Sequence, residues 1–394
     1  MRSFLLAIAI LVPGSFLAAD DTPLVQQFLH DGELARGEQT LVKILEEKPD
    51  DDEARFSLGV LQFVRGVERL GQALHRYGVK PTNDLFLRLP VPENEDPAPI
   101  NYYRFRRLLD DFGRDLMIAE ATLAGVKSDD VRLPLQLAEI TLDFDSDGKP
   151  TDKFREVLLK LFNNRRFDFS QANPEFLVVF DRGDVAWMRA YCHLMTGMLD
   201  AYLAFDTERE FDLWADKAFA KPQKTFAGTD DERLQKTLSA NEAVVIEPAR
   251  LRRFRQHIIA VTELNEETWR HIRLETDDDH EWLPNPRQQG VLGLPVRTEQ
   301  IDLWLTMMAE LRRLFAGERT FPNFFSPGRP GNKELNIKIL LDEPPEKFVG
   351  DGNFPKNLGD KYFTEAKPLN VQAFFGVFQM FFNPATMGYP VWFN

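Results

Sequence analysis

Asp143-Phe-Asp145-Ser-Asp147-Gly148, followed by Lys149, Thr151 and Asp152, is the stretch whose residue types and spacing specify a chemistry. A calcium ion takes six to eight oxygen ligands, and acidic residues at relative positions 1, 3 and 5 aim three carboxylates at one centre. Glycine at position 6 supplies the sharp turn that lets the backbone carbonyl of position 7 join them. Asp143, Asp145, Asp147 and Gly148 fill those places, Lys149 would offer its carbonyl, and Thr151 or Asp152 would contribute next. The EF-hand pattern then breaks, because position 12 should be a bidentate Glu and is Phe154, while Glu156 comes two residues late. Such a site is weak, in the ~10⁻⁴–10⁻³ M range of extracellular modules, and fills only where calcium is plentiful. The same residues also fit a plain acidic turn between two helices, with no ion.

The second reactive stretch is Glu275-Thr-Asp277-Asp278-Asp279-His280-Glu281-Trp282. It comes after a helix, and carboxylates at a helix C-terminus are disfavoured by the dipole. Arg270, Arg273 and Arg287 are near enough in sequence to compensate them, or a cation would. Asp277, Asp279, His280 and Glu281 together make an alternative ligand or ion site, and a carboxylate neighbour would move His280 toward general acid–base work. The hydrolase this suggests, a metal-assisted one, lacks a full signature: the chain has no nucleophile elbow, no H-E-x-x-H and no second His at ligand spacing. A structural salt-bridge cluster is the plainer reading, and no catalytic residue is assigned. Cys192, the one cysteine, falls on a core stripe with Met188, Met195 and Leu199, and His193 points elsewhere on that helix. A nucleophilic thiol needs exposure and a lowered pKa, so Cys192 reads as structural. Arg182-Gly183-Asp184 reads as a turn with Asp184 as helix N-cap rather than an adhesion tripeptide.

The elements that must position these residues are mostly helical. Phe105, Leu108, Leu109, Phe112, Leu116 and Leu123 recur at helical spacing, as do Ile301, Trp304, Leu305, Met308, Leu311 and Phe315. Further helices are predicted around Leu135–Ile140, with Pro134 in its first turn, and over Asp152–Phe162, flanking the acidic loop; Thr141–Phe144 could equally extend as a strand. Others are predicted over Leu251–Val261 and Glu266–Leu274. Residues 221–248 hold a loop and a short helix. Pro81, Pro90, Pro92, Pro97 and Pro99 mark a connector over 81–99. Beyond Phe315 the composition turns to Pro, Gly and Phe, and Phe374, Phe375, Phe378, Phe381 and Phe382 read as core of a mixed C-terminal segment.

Gly32, Gly37 and Leu41 recur 34 residues later as Gly66, Gly71 and His75, and Pro49 ends one helix between them. This period resembles the tetratricopeptide (TPR) repeat, in which small residues let paired helices approach. The resemblance covers about 24–78, less than two repeats, with Gln62 where an aromatic is usual and His75 at an apolar place. It implies a protein or peptide partner held in a groove, and a unit that must pack on the helices C-terminal to it. Leu142-Asp-Phe-Asp-Ser-Asp-Gly-Lys, Phe180-Asp-Arg-Gly-Asp-Val-Ala-Trp, Ala190-Tyr-Cys-His and the Glu275–Gln288 run resemble blocks of uncharacterised exported bacterial proteins with a TPR-like beginning. That resemblance implies export and a helical fold, and no activity.

Composition bounds the rest. The chain has 394 residues and a net charge of −14, which repels phosphate backbones and anionic lipid, so nucleic acid is excluded as a partner. Arg2, the apolar run Phe4–Val12, Pro13-Gly14 and Leu17-Ala18-Ala19 predict a signal peptide over 1–19, too short to span a bilayer. The mature chain would then be periplasmic or extracellular, without a membrane span. One cysteine leaves no intramolecular disulfide, so the fold must rely on its apolar cores. The expected organisation is mainly α: TPR-like hairpins over 20–80, the connector 81–99, a helical domain over 100–315 carrying the acidic loop, and a mixed segment over 316–394.

Overall fold

The structure is a computed structural model that describes residues 22–81, 87–162, 176–321, 333–350, 355–365 and 367–372. The predicted signal peptide and the Phe374–Phe382 cluster lie outside the described residues. Helices dominate the fold, as the periodicities require. α1 (Leu24–His30) and α2 (Leu34–Glu47) lead into α3 (Asp52–Arg76), whose start is fixed by Asp51 accepting a hydrogen bond from the Ala54 amide. Asp52 and Glu53 in its first turn and His75 and Arg76 in its last turn complement the helix dipole. α4 (Tyr102–Leu123) is capped by Asn101 and buries Phe105, Leu108, Leu109, Phe112, Leu116 and Leu123. After α5 (Phe154–Phe162) come α6 (Arg182–Leu203), α7 (Glu208–Ala218), α8 (Asp230–Leu238), α9 (Pro248–Ile272) and α10 (Thr298–Ala316). The long helices pack in the order α2, α3, α4, α6, α9, α10, and one continuous apolar core runs from Val25 to Met308. The N-terminal helices therefore share their core with the rest of the helical stack.

Several elements differ from the sequence reading. No helix forms over Leu135–Ile140: β1 (Leu133–Gln136) pairs antiparallel with β4 (Leu177–Phe180), and a 3-10 turn over 137–139 comes next. Leu133 and Leu135 alternate with Pro134 and Gln136, so a period of two buries one face of a run too short for a helix. β2 (Thr141–Leu142) then pairs with β3 (Asp152–Lys153), Thr141 opposite Lys153 and Leu142 opposite Asp152. The acidic loop thus closes a small β-ladder and only afterwards enters α5; the helix–loop–helix frame is not formed. The N-cap of α6 is Asp181, not Asp184, which sits in the first turn and completes a reciprocal capping box with it. The two helical runs between Leu251 and Leu274 are one helix, α9. Gly71 and its 34-residue counterpart Gly37 lie inside α3 and α2, whereas Gly66 lies inside α3 and its counterpart Gly32 forms the turn before α2 with a positive φ of 67°.

A charged seam, invisible to helical periodicity, runs between α4, α6 and α9. Arg189 holds Glu120 at 3.0 Å, and Arg250 and Arg253 hold the buried Asp200 at 2.9 and 2.8 Å. Between them, His193 and His257 share a hydrogen bond through their Nδ1 atoms at 2.8 Å. Burial, then the charge of His193, pushes His257 down to about 4, so this pair is held with His257 neutral. Cys192 is fully buried on the apolar side of the same helix, and burial pushes its thiol well up, as a structural cysteine requires.

The C-terminal segment is mixed. β5 (Glu242–Val244) pairs with β8 (Lys347–Val349), β7 (Glu334–Leu335) with β9 (Phe363–Thr364), and β6 (Arg319–Thr320) runs parallel to β10 (Lys367–Pro368). With α11 (Ile337–Asp342) these strands enclose a small second core of Leu335, Leu340, Leu358, Tyr362 and Phe363. Among the described residues no helix is long and apolar enough to cross a membrane.

Gly71 is where the acidic loop meets this scaffold. A Cβ there would sit 2.1 Å from Cδ1 of Phe144, whose ring is fully buried and has nowhere to move. At Gly66 an added Cβ would meet only Cβ of Asp115, at 3.2 Å. Gly71→Ala is therefore expected to cost more than about 1 kcal/mol by overpacking, even after the ~1 kcal/mol gain in helix propensity. Gly66→Ala should be near neutral. Denaturant midpoints of the two variants check the difference; equal midpoints would contradict the packing described.

Candidate functional site

The acidic loop brings together the residues that its spacing predicts. Asp143, Asp145 and Asp147 each place a carboxylate oxygen within 4.8 Å of the others. Two left-handed residues make this possible, Ser146 at φ 60° and Gly148 at φ 80°. The amide of Asp147 donates to both Asp143 and Asp145 at 3.2 Å, that of Gly148 to Asp143 at 3.1 Å, and that of Lys149 to Asp147 at 2.7 Å. Below the turn, Gln72 donates to the Asp143 carbonyl at 2.9 Å, and the Asp143 amide donates to the buried Glu68 at 3.1 Å. Burial, with a contribution from the Asp143 charge, raises Glu68 to about 7. The remaining predicted ligands do other work. Asp152 accepts from the Phe144 amide at 2.9 Å, and burial followed by the charges of Asp145 and Asp143 raises its pKa. It braces the loop from inside. Lys149 places its ammonium 3.7 Å from Asp147, and Thr151 is exposed. Three carboxylates with a common focus are what the turn presents to solvent, a donor set suited to a hard, oxygen-seeking cation.

The stretch after α9 behaves differently. Asp277, Asp279 and Glu281 do converge within 4.8 Å, but Arg132 pairs with Asp279 and lies 3.6 Å from Asp277. His280 is exposed, takes a left-handed φ of 72°, and belongs to no group of three or more metal-binding side chains among the described residues. The closer association is one that sequence reasoning missed. Asp181, the cap of α6, meets Glu275 and Glu281 within 4.8 Å. Gln288 spans the cluster, donating to Glu281 at 2.9 Å, to the Asp277 carbonyl at 2.9 Å and to Glu275 at 3.4 Å. Asn285 fixes the chain beneath by donating to the carbonyls of Ile272 and Glu275 at 3.0 and 3.2 Å.

Carboxyls this crowded do not all ionise. Burial and then the charge of Asp181 push Glu275 up to about 9, and the same two causes push Glu281 up to about 8. Asp184, almost fully buried, is raised well above the usual carboxylate range by burial and by Asp181. At neutral pH Glu275 and Glu281 therefore keep their protons, and with Gln288 they close a latch between the start of α6 and the loop after α9. No local signal could have linked Asp181 to Glu275, because the contact depends on how α6 packs beside α9.

Comparison of the chain with protein-family models, with curated protein sequences and with solved structures gives no match.

The latch has a consequence for pH. Groups raised in the folded state stabilise it below their unfolded pKa, about 4.3 for Glu, and lose that contribution as pH rises through the folded value. The fold should lose stability from about pH 4.3 up to about 9, and above about pH 7, beyond Glu68 and His257, the decline belongs to this cluster. Glu281→Gln keeps the shape and removes the ionisation, so thermal melts across this range should show a shallower decline in the variant than in the parent chain. Parallel declines would contradict the protonated cluster.

Proposed function

We propose that the chain is an exported, mainly helical binding or scaffold protein whose Asp143–Asp147 turn holds one calcium ion. The observation that carries the reading is the convergence of the Asp143, Asp145 and Asp147 carboxylates within 4.8 Å on a turn fixed from below. Three carboxylates are fewer ligands than calcium takes, so the remaining positions fall to water or to other groups, and the affinity is low. A weak site is loaded where free calcium is high, which fits the predicted signal peptide. The binding part of the reading is supported by a groove of about 810 Å³ beside the N-terminal helices. Leu24, Leu41, Ile44, Ala54, Leu133 and Pro134 give it apolar walls and Glu47, Lys48 and Arg132 a polar rim. Such a lining suits an amphipathic peptide. The metal-assisted hydrolase reading has less support, because Arg132 already pairs with Asp277 and Asp279 and His280 joins none of the three-residue groups.

Calcium linkage tests the proposal. A site with Kd ~10⁻³ M at ~10 mM free calcium stabilises the fold by about 1.4 kcal/mol, a rise in Tm of roughly 2 °C for a chain of this size. Asp145→Ala should abolish that rise while leaving the Tm in chelator nearly unchanged, since Asp145 is exposed. Identical melting of the parent chain in calcium and in chelator would refute the reading.

A further inference from the structure

The end of α6, the start of α7 and the β5–β8 pair enclose a pocket of about 450 Å³. Backbone pairing fixes its walls. Phe205 bridges to Val245, and the Asp206 amide donates to the Val244 carbonyl at 2.9 Å, which ties the link between α6 and α7 to the end of β5. β5 in turn sets Ala243 opposite Phe348 of β8. The rings of Phe205 and Phe348 therefore meet at a corner, with centroids 5.9 Å apart and planes inclined at 57°. Tyr202, in the last turn of α6, supplies a third ring, and its hydroxyl accepts from Thr207 Oγ1 at 3.0 Å. All three rings line the pocket and are half-buried.

Asp206, Glu210 and Glu242 share that lining, and no lysine, arginine or histidine is among its described residues. Two of these acids are engaged: Asp206 accepts from the Glu208 amide at 3.1 Å, and Glu242 pairs with Lys347 at 2.9 Å. Glu210 is not. The dipole of α7 favours an acid in its first turn, but a solvent-facing side chain would serve that need equally. Here Glu210 is half-buried in the pocket wall, and among the described residues no ion pair or hydrogen bond holds its carboxylate.

Aromatic rings and carboxylates in one pocket select the charge of its guest. An anion is repelled. A neutral apolar guest would take water from Glu210 and return no hydrogen bond. A hard metal ion needs six or more oxygens and gains nothing from the rings. A quaternary ammonium ion suits both components: its methyl groups lie against ring faces whose quadrupole attracts positive charge, and the carboxylate supplies the counter-charge. We infer that this pocket binds a small quaternary ammonium compound of the choline type, its trimethylammonium head against Tyr202, Phe205 and Phe348 with Glu210 as counter-ion. The volume is that of a small-molecule site. A head group that also carries a phosphate would be opposed by the same acids, so the occupant is the free cation rather than a phospholipid. The inference is independent of the calcium reading.

The test is a calorimetric titration of choline chloride into the full chain in chelator, beside 3,3-dimethylbutan-1-ol, which has the same shape with carbon in place of the charged nitrogen. Glu210→Gln and Phe348→Leu are titrated alongside. Glu210 holds no partner, so its variant is expected to fold, and it carries the test together with the neutral isostere if Phe348→Leu does not fold. The expected result is saturable binding of choline, weaker by about tenfold for the isostere and by about tenfold in each folded variant, as loss of a desolvated cation–π or ionic contact requires. Absence of saturable choline binding overturns the inference. So does equal binding of the neutral isostere, or choline affinity unchanged in Glu210→Gln.

Discussion

Like charges held close together are the constraint around which this structure is organised. At ~4 Å two carboxylates repel by about 1 kcal/mol in water and about 4 kcal/mol at the effective dielectric near a protein surface. The chain carries an excess of acidic residues, and it crowds them at two places rather than spreading them. At the Asp143–Asp147 turn the crowding is enforced mechanically. Phe144 is driven into the core against Gly71, Gln72 and Glu68 grip the backbone of Asp143, and Asp152 ties the Phe144 amide. The carboxylates are left to meet above that anchor, with the amides of Asp147, Gly148 and Lys149 turned toward them. Partial positive charge from three amides offsets part of such repulsion, and the proposed cation would offset the rest.

The second cluster resolves the same problem with protons. Glu275 and Glu281 lie deeper, beside Asp181 at the junction of α6 with the loop after α9, where burial favours their neutral acids. The seam of Glu120, His193, His257 and Asp200 resolves it a third way, by arginines and by a neutral imidazole. These three solutions divide by exposure. Protonation and pairing serve the interior of the helical stack. Of the three, the solvent-facing turn, fixed from beneath and exposed above, is the arrangement open to a ligand from solution.

Much of this was legible in the sequence wherever the interactions are local. The three aspartates and Gly148 declared their turn because all four lie within six residues. α4 and α10 declared themselves through apolar residues at helical spacing. What was hidden depends on pairing at a distance. Thr141 and Leu142 form a strand only because Lys153 and Asp152 return beside them, a pairing that no local pattern around the loop announces. The run from Leu135 is too short to separate a period of two from one of 3.6 without knowing that β4 lies alongside. Asp184 reads as the cap of α6 from sequence, and the reciprocal hydrogen bonds instead choose Asp181, three residues earlier. The glycines at 66 and 71 read as the small residues of a 34-residue period, and in the structure they let Asp115 and Phe144 approach one unbroken helix.

The central claim is that the turn carries a divalent cation, and calcium titration calorimetry on chelator-treated full chain addresses it most directly. The account predicts one saturable site with a Kd of ~10⁻⁴–10⁻³ M, lost in Asp143→Asn/Asp147→Asn and retained in Glu281→Gln. Absence of saturable heat, or the same heat in the Asp143→Asn/Asp147→Asn chain, would contradict it.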